Sequence, residues 1–210
     1  MRYPIEFFAL DADAFARRLR QDRSRLMREA EENMKVAEDP YDDDQIAVCL
    51  RLAERICLDD LPKPYDAEED DETEDLAIDY FVGLAELANA AGEMIVLESF
   101  LAGRNWDSFV GEVGIWPLLQ QAQPPFPVPT STLFPPGVGF LPLETLHGKT
   151  EADVEQLLKE HSPPPQNRHW LWGGGSSDLA AINAARIEFS EMATSVAKDK
   201  LDLLAIVPSF

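Results

Sequence analysis

The segment LAIDYFVGLAELANAAGEMIVLESFLAG, residues 76–103, is the most apolar stretch of the chain and the strongest constraint on its fold. Leu76, Tyr80, Leu84, Leu87 and Ala91 recur at helical spacing, and Met94 to Leu101 continue with apolar side chains on most sides. A helix that is apolar nearly all round has no face to turn to water. The pattern therefore predicts a long central helix covered by other elements, with Gly83 and Gly92 as points of close packing or a break.

The elements that must cover it can be read on both sides. YPIEFFAL, residues 3–10, has the β-branched and aromatic content of a strand. Asp11 or Asp13 then caps a helix running to about Val36, with Phe15, Leu19, Leu26 and Met27 near helical spacing. Pro40 stops it, and the Asp42–Asp44 run opens a second helix over about 43–58. There Ile46, Leu50, Ala53 and Cys57 share a face, with Val48, Leu52 and Ile56 beside it.

Composition changes after Trp116. Eleven of the sixteen prolines fall between Pro117 and Pro165, which forbids a continuous helix and predicts covering loops, with a strand around Val138 to Leu143. PFPVP is a weak match to a PxxP ligand, but the aromatics with Leu133, Leu141 and Leu143 favour packing. Thr150 and Asp153 form a capping box for a short helix in TEADVEQLLKEHS. A long closing helix follows, carrying Leu179, Ile182, Ile187, Phe189, Met192 and Val196, and LDLLAIVPS reads as a buried strand.

The predicted fold is α+β and predominantly helical: a central apolar helix with a small sheet formed by the N- and C-terminal strands. A single domain over 1–210 is expected, with an acidic loop at 60–75 and a proline-rich covering segment at 117–165. No repeat is visible at periods of 20 to 50 residues. The ends, YPIEFFALDADAFARRL and INAARIEFSEMATSVAKDKLDLLAIVP, resemble the YfbM-like family of small bacterial proteins of unknown function. That family opens with a strand entering a helix and closes with a helix leading to a strand. The resemblance spans about 40 positions and implies an α+β fold and a bacterial cytosolic setting; it brings no activity and no functional residues.

Charge narrows the possible functions. Eighteen Lys and Arg against 39 Asp and Glu leave −21, a field that repels nucleic acid and anionic lipid and attracts basic partners. Residues 38–79 hold 17 acids and three bases, a local −14, and DAEEDDETED, residues 66–75, has eight carboxylates in ten positions. Like charges within a Debye length of about 8 Å repel, so this crowding calls for compensation. Seven of the eighteen bases (Arg17, Arg18, Arg20, Arg23, Arg25, Arg28 and Lys35) lie on the predicted first helix and could supply it from within. A cationic partner is the other source.

Signatures of chemistry are weak. Cys49 and Cys57 lie eight positions apart on one helix, about 12 Å, whereas a disulfide needs Cα atoms within about 7 Å. WGGGSSD, Trp172 to Asp178, lacks the Lys and the spacing of a phosphate loop and reads as a turn capped by Ser176 or Ser177. His147, His161 and His169 match no zinc spacing. In DAEEDDETEDLA, Asp71 and Ala77 occupy the positions where a calcium loop needs Gly and Glu. No catalytic residue, metal or cofactor is assigned.

No signal peptide and no eighteen-residue apolar window is present, so a soluble, cytoplasmic protein is expected. The function expected is an acidic protein-binding module, an immunity protein or antitoxin neutralising a basic toxin. Its contact residues would be Asp42, Asp43, Asp44, Glu68, Glu69, Asp70, Asp71, Glu72, Glu74 and Asp75, with Tyr41, Tyr65 or Tyr80 as apolar anchors. Two alternatives are a small-ligand protein or enzyme with a pocket near Trp170 and Trp172, and a scaffold or adaptor presenting the proline-rich segment.

Overall fold

The computed structural model describes residues 5–37, 41–57, 71–95, 97, 112–128, 137–162 and 179–207. Its centre is a sheet rather than a helix. Four antiparallel strands, β1 (Glu6–Leu10), β2 (Glu93–Ile95), β3 (Val138–Leu141) and β4 (Asp202–Ile206), run in the order β2-β1-β4-β3. The two terminal strands pair in the middle, with Phe8 opposite Leu204 and Phe7 opposite Ala205. The fold is α+β and mostly helical, as its sequence predicts.

Both faces of the sheet are covered. Successive strand side chains point to opposite faces, so Phe7, Ala9, Leu203 and Ala205 enter one core while Phe8, Leu10, Leu204 and Ile206 enter the other. The second core is closed by α1 (Ala12–Gln21), α2 (Arg23–Val36), α3 (Asp43–Cys57) and α4 (Asp71–Ala91). The first is closed by α5 (Ile115–Leu119), α6 (Leu143–Leu146), α7 (Glu151–His161) and α8 (Leu179–Lys198). An antiparallel sheet often leaves one face wet; along β1 and β4 neither is, which is why FFAL and LLAIV read as unbroken apolar runs rather than alternating ones. Phe7 meets Phe189 of α8 edge-on at 5.8 Å, and Phe15 of α1 meets Phe126 at 5.1 Å.

Several local expectations are corrected. The first helix is two, divided at Asp22, whose φ of −132° and ψ of 32° end α1 and start α2 without a side-chain cap. The 76–103 segment is a helix only to Ala91. Gly92 turns the chain, and a Cβ there would lie 2.4 Å from the Ala9 carbonyl oxygen, so the backbone of this turn presses directly on β1. Residues 93–95 then pair with β1 as the sheet's edge strand. The helix also starts earlier than its apolar stripe, at Asp71, inside the acidic run. On α3 the buried stripe is Ile46, Cys49, Ala53 and Ile56, while Leu50 is only partly covered and Val48 is exposed. Leu179 and Ile187 of α8 are exposed as well. Cys49 is buried.

One carboxylate ties the layers together. Asp202, at the start of β4, accepts the Ala12 N–H with Oδ2 at 2.9 Å and the Leu143 N–H with Oδ1 at 2.8 Å, closing the amino ends of α1 and α6. Asp11 caps α1, accepting the Ala14 N–H at 2.7 Å, and Thr150 with Asp153 forms the predicted box on α7.

Candidate acidic interface and its buried carboxylates

The amino end of α3 follows from local capping chemistry. Asp42 Oδ1 accepts the Gln45 N–H at 2.8 Å, and the Gln45 side chain accepts the Asp42 N–H at 2.9 Å, a reciprocal cap. Asp43 and Asp44 occupy the first turn, where negative charge complements the helix dipole. All three carboxylates are exposed, and Val36 and Val48 lie exposed in the neighbouring turns of α2 and α3.

Three bases of the first two helices pair with acids of α2. Arg18 and Arg25 both bind Glu29, the latter at 2.8 Å, and Lys35 Nζ lies 2.5 Å from Glu31. Paired in this way, Glu29 is held below the usual carboxylate range by its hydrogen bonds from Arg18 and Arg25. Lys35 is raised chiefly by its bond to Glu31; the field of Asp43 is a smaller contribution. Among the described residues no ion pair joins these bases to Asp42, Asp43 or Asp44.

The predicted contact residues fall on two helices and on residues outside the description. Tyr41, just before α3, touches Glu86 near the end of α4. Asp71 and Asp75 lie fifteen and eleven positions before Glu86 on α4, roughly 22 and 16 Å along the axis. Asp71, Glu72, Glu74 and Asp75 lie at the opening of α4, where only the backbone is described. Glu68, Glu69, Asp70 and Tyr65 lie outside the described residues, as do Trp170 and Trp172 and the proline-rich positions 129–136. For Tyr80 only the backbone is described.

Tyr41 is committed internally rather than offered as an anchor. Its hydroxyl donates to Glu86 Oε1 at 2.8 Å, its N–H donates to the Met34 carbonyl at 3.3 Å, and its ring packs against the cluster of Met34, Ile46 and Cys49. Near this contact lies a group that the sequence reading left unused. Glu6 opens β1 on the face that carries Phe8 and Leu10, and is partly buried under the α1–α4 layer. Burial, with the charge of Glu86 second, pushes Glu6 up to about 7. Burial raises Glu86 too, against the pull of its bond from Tyr41. The Tyr41 phenol is raised by burial and then by Glu86. The lone carboxylate in an otherwise apolar strand, in phase with Phe8 and Leu10, was the available signal.

A buried polar feature on the opposite face has a structural explanation. Arg186 of α8 donates to the carbonyls of Val113 at 3.0 Å and Glu112 at 3.1 Å and to Ser162 Oγ at 2.7 Å, fastening the chain before α5 to the end of α7 and to the body of α8.

Among the described residues no group of three or more His, Cys, Asp or Glu is placed to hold a metal ion, and no helix is long and apolar enough to cross a membrane. Comparison with protein-family models, with curated proteins and with solved structures finds no match.

Proposed function

We propose that this chain is an acidic protein-binding module, acting in a bacterial cytoplasm as an immunity protein or antitoxin against a basic toxin, with its contact centred on the amino end of α3. The observation that carries this reading is the exposure of Asp42, Asp43 and Asp44 while Arg18, Arg25 and Lys35 are engaged by Glu29 and Glu31. Val36 and Val48, 80% and 38% exposed, supply the apolar contact that Tyr41 does not. A toxin that grips phosphates presents positive charge where it works. An acidic surface edged with valines can cover such a groove and gain steered, salt-sensitive association.

The test is copurification of a basic protein at low salt, repeated with the Asp42→Asn/Asp43→Asn/Asp44→Asn variant. Asn caps helices as well as Asp, so α3 is retained, which circular dichroism checks. Capture reduced on the order of tenfold or more in the variant, and lost in high salt, supports the proposal. Undiminished capture by the variant, or no basic partner at low salt, refutes it.

A further inference from the structure

We infer that the corner between α1 and α2 is a cationic docking surface for the acidic end of α3 on a second copy of this chain, so that copies associate head to tail. Residues 17–28 carry six arginines and one acid, a local +5, while the remaining positions hold 12 bases against 38 acids. The sign of the charge reverses within twelve residues.

Four of these arginines have no acid of their own. Arg18 and Arg25 bind Glu29. Arg17, Arg20, Arg23 and Arg28 are exposed, and among the described residues no ion pair reaches them. Arg17 and Arg20 are neighbours on α1, three positions apart. Arg23 opens α2 on the other side of the break at Asp22. The first turn of α2 holds no acid and Asp22 makes no side-chain cap, so the positive end of the helix dipole falls among the arginines.

The occupant follows from the chemistry of the corner and from what surrounds it. Arginine grips carboxylates through paired, parallel hydrogen bonds. A long polyanion leaving the corner meets the acidic remainder of the chain, whereas a compact carboxylate group does not. The chain carries such a group: Asp42, Asp43 and Asp44 are exposed, with Val36 and Val48 exposed in the neighbouring turns. Within one molecule the two surfaces are held apart. Tyr41, beside those acids, donates its N–H to the Met34 carbonyl, and Arg23 lies eleven positions before Met34 on α2, roughly 16 Å along the axis. Complementary surfaces separated in this way meet only between copies, and the contact they make is head to tail, with one surface of each kind left free at the ends of an assembly.

Sedimentation velocity of the purified protein at about 0.1 M salt, over a wide range of concentration, measures the contact. Arg17→Gln/Arg20→Gln/Arg23→Gln and Asp42→Asn/Asp43→Asn/Asp44→Asn should each weaken self-association about tenfold or more. An equimolar mixture of the two variants should form a one-to-one complex that grows no further, because each brings the surface that the other lacks. Circular dichroism checks that both are folded. A wild-type protein that stays monomeric, variants that associate as wild type does, or a mixture that stays apart overturns the inference. So does a single-stranded oligonucleotide that binds the corner while the protein does not self-associate. No other protein is present, so failure here leaves the capture of a basic partner standing, and loss of that capture leaves the self-contact standing. Only the consequence that a toxin and a second copy compete for one acidic end rests on the proposed function.

Discussion

Replacing Glu6 by Gln should stabilise the protein, and by an amount that depends on pH. A carboxyl raised from 4.5 to about 7 is protonated in the folded chain under conditions where the unfolded chain has released its proton. Below pH 4.5 both forms hold the proton and the group costs nothing. As pH rises toward 7 the unfolded form gains the freedom to ionise and the folded form does not, so stability falls. Above 7 the loss is complete. At about 1.4 kcal/mol for each pH unit between the two values, the loss is about 3 kcal/mol at pH 8 and about 1 kcal/mol at pH 5. Gln is neutral throughout and escapes it. Residual water contact at this partly buried site brings the gain at pH 8 nearer to 2 kcal/mol. Urea denaturation of both proteins at pH 5 and pH 8, with equal slopes required, measures the difference. The general repulsion of a chain at −21 is common to both and cancels. A variant no more stable than wild type at pH 8, or equally stabilised at both pH values, would refute the reasoning.

Asp202→Ala removes acceptors from the first N–H groups of two helices and should cost about 2 kcal/mol, while Asp202→Asn, with a single side-chain carbonyl, should cost about half as much. Equal midpoints for the three proteins in thermal unfolding would show that the bridge carries no stability. Gly92→Ala forces a methyl to 2.4 Å from the Ala9 oxygen and 2.7 Å from Leu10 Cβ, and should destabilise by about 2 kcal/mol or more. Wild-type stability with unchanged exchange protection along β1 would mean that the turn is looser than the structure shows.

The parts of the fold legible in the sequence are those set by neighbours along the chain. Thr150 and Asp153 announce α7 because a capping box closes within four residues. β1 and β4 are visible because strands buried on both faces become apolar runs. What was misread depends on distant partners. MIVLESFL after Gly92 has the same apolar density whether it continues a helix or, in its first residues, joins an edge strand, and the pairing with Phe7 and Phe8 decides for residues 93–95. The division at Asp22 has no proline or glycine to mark it; Phe15, Leu19, Leu26, Ala30 and Met34 keep a phase that one straight helix would also satisfy. On α3, choosing Cys49 over Leu50 for the core is a rotation set by how the helix rolls against α2 and α4. The site divides in the same way. Asp42–Asp44 could be found from capping rules, whereas the burial of Glu6 under helices far along the chain is hinted at only by its phase within its strand.

The structure also changes why so much negative charge is tolerated between residues 38 and 79. Crowding would be costly if all of it faced one way, but these acids open two different helices, Asp43 and Asp44 in the first turn of α3 and Asp71 at the start of α4. Within each group a helix amino end offers partial positive charge, worth roughly 0.3–1 kcal/mol for each favourable carboxylate. At α3 that internal compensation is already met by Asp42, which makes the reciprocal cap with Gln45. Capping does not require Asp43 or Asp44 as well. Those two carboxylates, exposed beside Val48, are therefore the surplus that a cationic partner would read under the proposed function.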